Sequence, residues 1–399
     1  MVWIYLVWAF IGGTLGFITG LAPGVHINLV CVLFVSGMGL ILKWMSPIEA
    51  AIVLFAMAVT HNLADNITTT FLGVTSGEDL TGTVPAQRLL MKGRGFDVIR
   101  YAILGNMAGI GGILVAAPFL FLFIAQMYKT ITVFIPYILI GVLVILIWKE
   151  KDRTNAVLVV VLAGIMGIMV FALPNLKQPL LPMLSGFFGL SAMVLGWKEE
   201  YILPEQSMKK EFEVKSVKIG RSAARALGAS VATCFLPGLS ASHTSLLAIV
   251  GLRETKDEQI IFIGNFCNMI SIFLSLIALV TIEKARSGVV VALENFITLD
   301  QKSVFILILT AVITFGYGIT VCLKLNQLIT RWIARINYQK ICAGVSLFLM
   351  GLTFLVCGWI GLVVLAGCCA LGLFTHFVSV GKNNLMACII IPVILYSFL

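Results

Sequence analysis

The sequence predicts an all-α polytopic membrane protein of two inverted-topology repeats, with broken or re-entrant helices at Pro23-Gly24 and Pro237-Gly238. Three observations predict it: the composition, a matched pair of breaks, and an exchange of basic charge between equivalent loops. Of 399 residues, 60% are hydrophobic and 11% charged, against about 45–50% and about 25% in soluble domains. The net charge of +9 comes largely from lysines and arginines in short loops between apolar runs. That placement signals membrane topology rather than a nucleic-acid surface. The nine cysteines form no C-x-x-C pair and mostly lie in apolar stretches, as small packing residues do. No H-E-x-x-H, G-x-S-x-G or P-loop pattern occurs, so the residues point to no enzyme.

The breaks are alike in spacing. Thr19 and Thr233 each stand four residues before a Pro-Gly, and polar residues follow each glycine at two and four positions, His26 and Asn28 in one, Ser240 and Ser242 in the other. Proline removes a backbone donor and glycine tolerates unusual angles, so Pro-Gly interrupts a membrane helix. The freed amides and carbonyls must be buried in protein or line a wet cavity. A matched pair of such breaks marks a secondary transporter's midplane site.

Taken in order, residues 1–22 read as a first membrane helix, apolar and without a basic start or cleavage site. Further apolar segments cover 29–42 and 50–59, the latter running into the polar cluster from Thr60 to Thr70. A polar loop over 77–100 follows, then segments at 101–126, 134–148, 156–173 and 181–197. Trp148 and Trp197 each precede a lysine, as at a headgroup boundary. The mixed-charge stretch makes 198–227 a linker between a first transmembrane repeat, 1–197, and a second, 228–399. In the second repeat, apolar segments run to 251 and cover 260–282, 304–323, 343–357, 360–373 and 385–399, and His376 falls in a loop.

Internal correspondence extends past the breaks. The run from His61 to Thr68 aligns with Gly264 to Ser271, and Gly109-x-Gly111 with Gly316-x-Gly318. Basic residues precede the first Gly-x-Gly segment (Arg88, Lys92, Arg94, Arg100) but follow the second (Lys324, Arg331, Arg335, Lys340). Equivalent loops therefore belong on opposite sides of the membrane. This puts 88–100, 149–153, the linker and 324–340 in the cytoplasm, with both termini outside a plasma membrane.

Helix starts after the breaks, aided by the macrodipole, attract anions. The candidate substrate-binding residues are Thr19, Pro23, Gly24, His26 and Asn28 with Asn62, and Thr233, Pro237, Gly238, Ser240, Ser242 and His243 with Asn265. An acidic residue near an apolar segment is costly and by default functional. Asp65, with Asn66, Thr68, Asn268 and Ser271, forms the candidate ion-coupling set, for Na+ or H+. No prosthetic group is implied. The plainer readings are a proline kink at each break and interhelical hydrogen bonding by the Asn and Thr residues.

Gly16-x-x-x-Gly20 with the first break, the second break before Ser240-Ala241-Ser242-His243, the segment from Pro182 to Leu190, and Asn384-Leu385-Met386 to Pro392 together resemble the large membrane subunit of tripartite tricarboxylate transporters. The likeness is greatest to its shorter, archaeal-type branch and covers nearly the whole chain. It implies carboxylate transport driven by an ion gradient, with a small membrane subunit and an extracytoplasmic binding protein as partners. The chain departs from the family in its short length and in His26 and Asn28 at the first break. The expected function is an ion-coupled secondary transporter of a di- or tricarboxylate-like anion, surrounded by lipid and alone or as a homo-oligomer. The alternatives are a translocase for an anionic lipid carrier such as a polyprenyl phosphate, which a groove open to lipid would favour, and a structural scaffold without a cavity.

Overall fold

The computed structural model describes residues 2–22, 25–73, 80–174, 176, 178–198, 204–208, 212, 214–234, 236, 239–250, 252, 255–285, 287–332 and 338–398. Pro23, Gly24, Pro237 and Gly238 lie outside the described residues, as do 77–79 at the start of the expected polar loop and parts of the linker. Among the described residues there is no strand, and eight helical stretches are long and apolar enough to cross a membrane. This is a multi-pass, all-α membrane protein.

The first half comprises α1 (Val2–Gly20), α2 (Ile27–Ser36), α3 (Met38–Ile41), α4 (Pro47–Leu72), α5 (Leu80–Met91) and α6 (Gly95–Ile131). Next come α7 (Ile135–Lys149), α8 (Arg153–Phe171), α9 (Leu180–Leu184) and α10 (Ser191–Lys198), the last two joined by a π-helical turn, Ser185–Leu190. The second half holds α11 (Ile219–Thr233), α12 (Ala241–Ile249), α13 (Asp257–Ile282), α14 (Gly288–Glu294), α15 (Gln301–Trp332), α16 (Tyr338–Phe377) and α17 (Ala387–Phe398). Local chemistry sets several ends. Ser46 N donates to Glu49 Oε2 at 2.7 Å in a capping box and Pro47 opens the helix, while Gly73, at φ 65°, closes it.

Contacts fix the directions. Glycines 12, 16 and 20 of α1 meet Val53, Met57 with Thr60, and His61 with Ala64 in turn, so α1 runs parallel to α4. On α11, Ser222 Oγ accepts from Gln259 at 2.9 Å and the Ala226 carbonyl lies 4.0 Å from Cys267 Sγ, so α11 runs parallel to α13. The helices α4 and α13 are antiparallel, since Phe55 packs on Phe273 (5.6 Å between rings) and Asn62 bonds Asn268. Packing is also exchanged between halves. Gly105 and Gly109 of α6 press on the Phe262 and Phe266 carbonyls of α13, while Thr314 and Gly318 of α15 press on Gly13, Thr60 and Leu63 of the α1–α4 pair.

Buried apolar residues form two main clusters. One joins α1, α2, α4–α6 and α11–α15; the other joins α7–α9, the π turn, α17 and the second part of α16. Trp148 and Trp197 are exposed, as rings at a headgroup boundary would be.

Several elements differ from expectation. Residues 80–91 form α5 rather than loop, because Ala86, Leu89 and Leu90 find burial against neighbouring helices. The helix α11 begins at Ile219, inside the stretch read as linker: Ser222, Ala226, Ser230 and Thr233 form a buried stripe of small residues, which apolarity alone does not reveal. Segments 343–357 and 360–373 are, as expected, two helical pieces, which meet within α16 at a kink where Gly358 is non-helical (φ 64°, ψ −159°); His376, however, occupies the last turn of the second piece rather than a loop. Of the two Gly-x-Gly pairs, Gly109 and Gly318 pack closely while Gly111 and Gly316 have nothing within 4 Å of an added Cβ.

Replacing Gly105 with Leu should therefore separate α6 from α13 and lower stability by about 1–3 kcal/mol, whereas Gly111→Ala should be neutral or slightly stabilising. Thermal unfolding of both variants in detergent distinguishes them.

Candidate functional site

A cavity of about 660 Å³ lies where the two apolar clusters meet. His26 and Asn28 reach it from the first break, and Thr233, Ser240 and Thr244 from the second. Asn268, Ser271 and Ser275 contribute from α13, and Ser287 and Asn295 from beside α14. Its other wall is mainly apolar, with Leu181, Leu184 and Phe188 around the π turn and Met386 and Ile389 at the start of α17. The π turn widens the helix there, a distortion that recurs at functional sites.

Both breaks turn their polar groups inward by local bonds. His26 is the N-cap of α2, and its Nδ1 accepts from Asn28 N at 2.9 Å. At α12, Ser240 N donates to His243 Nδ1 at 3.3 Å, and Ser240 Oγ lies 3.0 Å from the same nitrogen. The helix starts are thus partly capped by their own side chains, so the polar wall of the cavity offers mainly hydroxyl and amide side chains. Thr233 Oγ1 and Thr244 Oγ1, 2.8 Å apart, tie the strand of chain entering the second break to the helix leaving it.

The expected residues divide. His26, Asn28, Thr233, Ser240, Asn268 and Ser271 line the cavity; Thr19, Asn62, Asp65, Asn66, Thr68, Ser242, His243 and Asn265 do not. Thr19 Oγ1 sits 3.0 Å from His61 Nδ1, and the Ser242 carbonyl accepts from Ser245 Oγ at 2.8 Å. Asn265 accepts from Asn106 Nδ2 at 3.3 Å and Asn62 Oδ1 accepts from Asn268 Nδ2 at 2.7 Å, so paired asparagines stitch α13 to α6 and to α4. Such intramembrane bonds are worth about 0.6 kcal/mol each. Asn66 Nδ2 bonds back to the Asn62 carbonyl at 2.7 Å, and Thr68 Oγ1 donates toward Gly20 at the end of α1.

Sequence reasoning missed Gln178, Ser185, Ser230, Ser275, Ser287 and Asn295. Ser230 stands out: it is 2% exposed, lines the cavity, and its hydroxyl has no hydrogen-bond partner among the described residues. A buried polar atom left unpaired costs about 1–3 kcal/mol, so a solute or water reaching Ser230 gains a ready contact. Its place three residues before Thr233, on one helix face, is the signal that could have revealed it.

The cavity has a direction. It follows α13 from Asn268 to Ser275 and past the helix end to Ala285, Ser287 and Asn295. At the other end of α13 the chain is clamped. Arg88 Nε donates to Asp257 at 3.0 Å and Arg94 Nη1 to Glu258 at 2.8 Å. Burial lowers the Arg94 pKa, but its bonds to Glu258 and Asp97 outweigh this and raise it. The linker adds to the clamp: Gln206 Oε1 accepts from Gly95 N at 2.8 Å, and the Phe212 ring lies 4.5 Å beneath the Arg100 guanidinium. Arg225 donates to the Ala248 and Val250 carbonyls, holding the middle of α11 to the end of α12.

The sequence profile of the tripartite tricarboxylate transporter TctA family matches residues 6–387. An uncharacterized protein of Methanocaldococcus jannaschii is 26% identical over 407 residues, covering 98% of each chain. No solved structure matches.

In a cysteine-free background, Ser271→Cys, Ser287→Cys and Asn295→Cys should react with a water-soluble thiol reagent, because they line the cavity. Ser222→Cys, buried against Gln259, should not. Mass spectrometry after labelling measures the difference, and equal reactivity would contradict the cavity.

Proposed function

Because the chain belongs to the tripartite tricarboxylate transporter TctA family, we propose that it carries a small organic anion, di- or tricarboxylate-like, by secondary transport coupled to a cation gradient. The observation that carries this reading is a cavity bordered by both breaks at once, with hydroxyl and amide groups on one wall and apolar side chains on the other. Neutral donors of that kind recognise carboxylate oxygens, and the apolar wall accommodates a short carbon skeleton.

Two inverted repeats, as this reading takes the halves to be, would support alternating access. The parallel pairs α1–α4 and α11–α13 belong to antiparallel helices, so the two broken hairpins approach from opposite ends. The clamp draws Arg88 onto Asp257 and Arg94 onto Glu258 from the basic stretch 88–100, which the positive-inside bias assigns to the cytoplasm. On that assignment the cavity extends toward the outside of the plasma membrane, the linker is cytoplasmic and both termini are outside. Breaking the clamp and closing the opposite end would complete the cycle. An extracytoplasmic binding protein would deliver the anion to this outer side, with a small membrane subunit alongside.

Proteoliposome flux across a panel of di- and tricarboxylates, with imposed sodium or proton gradients and with or without the partner proteins, tests the reading. Saturable gradient-driven uptake is expected, and Asn268→Ala and Ser230→Ala should each weaken apparent affinity about tenfold, or about 1.4 kcal/mol. Absence of flux for every anion under all conditions would overturn it.

A further inference from the structure

We propose that the cytoplasmic half of the anion's route, closed in this structure, runs between α7 and α12, with His243 as its partition and Lys149 at its mouth; this rests on the transport reading above and extends it. The helix α12 starts at the cavity, where Ser240, Ala241 and Thr244 line it. It ends beside the clamp. Arg225 donates to the Ala248 carbonyl at 2.7 Å and to that of Val250, and one turn earlier on α11 Ser222 bonds Gln259, the neighbour of Glu258. A gap opening along α12 therefore joins the cavity to the clamped end of the molecule.

The helix α7 lies across that gap. A void of about 10 Å³ separates the two, bordered by Val142, Leu146 and Lys149 on α7 and by His243, Leu246 and Val250 on α12. It has room for one water at most. The seam is also a boundary of packing. Val142 and Leu146 belong to the second apolar cluster, whereas Ala241 and Ala248, on the opposite face of α12, belong to the first. Arg225 ties α12 to α11, so α12 moves with the first cluster. Two packed bodies that part along this line open the seam without disrupting either core.

The seam carries polar groups that its closed form leaves unused. His243 is 1% exposed, and its Nδ1 accepts from Ser240 N at 3.3 Å, which leaves the ring proton on Nε2. Nε2 faces the backbone of Asn383 but does not reach hydrogen-bond geometry there. On the same turn, Asn383 Oδ1 and Asn384 Oδ1 are also buried without a partner. Unpaired polar atoms gathered in one place call for a second state that uses them. His243 thus stands between two spaces: one nitrogen fixes the cavity-lining Ser240, the other offers a donor to the closed side. At the mouth, Lys149 is exposed, while the carboxylate of Glu150 is engaged by Gly381 N at 3.1 Å and Asn384 Nδ2 at 2.8 Å. An imidazole donor followed by an ammonium suits a carboxylate leaving the cavity.

Thiol labelling and flux together test the route, with the full chain reconstituted in vesicles of known orientation. In a cysteine-free background, Leu146→Cys and Leu246→Cys should resist a membrane-impermeant thiol reagent applied from the cytoplasmic side. Once Asp257→Asn and Glu258→Gln break the clamp, both should react at least about tenfold faster. Lys149→Gln should lower maximal uptake across a panel of di- and tricarboxylates about tenfold with KM unchanged, and Lys149→Arg should restore it. Elution profile and thermal midpoint identify a clamp variant that has misfolded, in which case Lys149→Gln decides. Labelling that stays slow in the folded clamp variant, or maximal uptake unchanged in Lys149→Gln, would overturn the route. A loss shared equally by Lys149→Arg would overturn the part given to the lysine's charge. Faster labelling without flux of any anion in any of these proteins would uphold the route and overturn the transport reading.

Discussion

A backbone that leaves the helical ladder inside a bilayer must find its hydrogen bonds within the protein, because lipid offers none. Both breaks meet this demand with short local bonds. At the first, Ala22 N reaches the Thr19 carbonyl at 3.3 Å and Val25 N the Ala22 carbonyl at 3.2 Å, before His26 caps α2. At the second, Leu236 N reaches the Thr233 carbonyl at 2.9 Å before Ser240 and His243 cap α12. The residues just after each break, His26, Asn28 and Ser240, line the cavity.

The same demand explains the crossing of α4 and α13. Each break needs a buried helix beside it, and these two are buried along most of their length. Glycines let α1 lie directly on α4 and α6 directly on α13, with backbone carbonyls where side chains would otherwise stand. Since each half packs one long helix on the other half, the first apolar cluster holds as a unit, and the cavity forms at its boundary with the second cluster. A boundary between two packed bodies is where relative movement disrupts least.

Charge is confined by the same economy of burial. The clamp residues lie at helix ends, where Asp257 and Glu258 also favour the start of α13. Asp65 is the exception, set well inside α4 where it and Asn66 are half-buried.

By itself the sequence determined the membrane setting, the all-helical class and the order of the main apolar segments. These follow from local terms: apolar run length, Pro-Gly chemistry and the placement of lysine and arginine. It also singled out His26, Asn28, Thr233 and Ser240, because the break motif repeats, and Asn268 and Ser271 from the aligned polar clusters, though as an ion-coupling pair rather than as cavity residues. Only the tertiary structure decided which polar side chains share a cavity. It turned Asn62 and Asn265 to interhelical bonds and brought in Ser230, Ser287 and Asn295, whose surroundings depend on chain far away in sequence. It likewise separated Asp65 from Asn268, two residues at one repeat position, because helix packing puts one against the end of α1 and the other on the cavity wall.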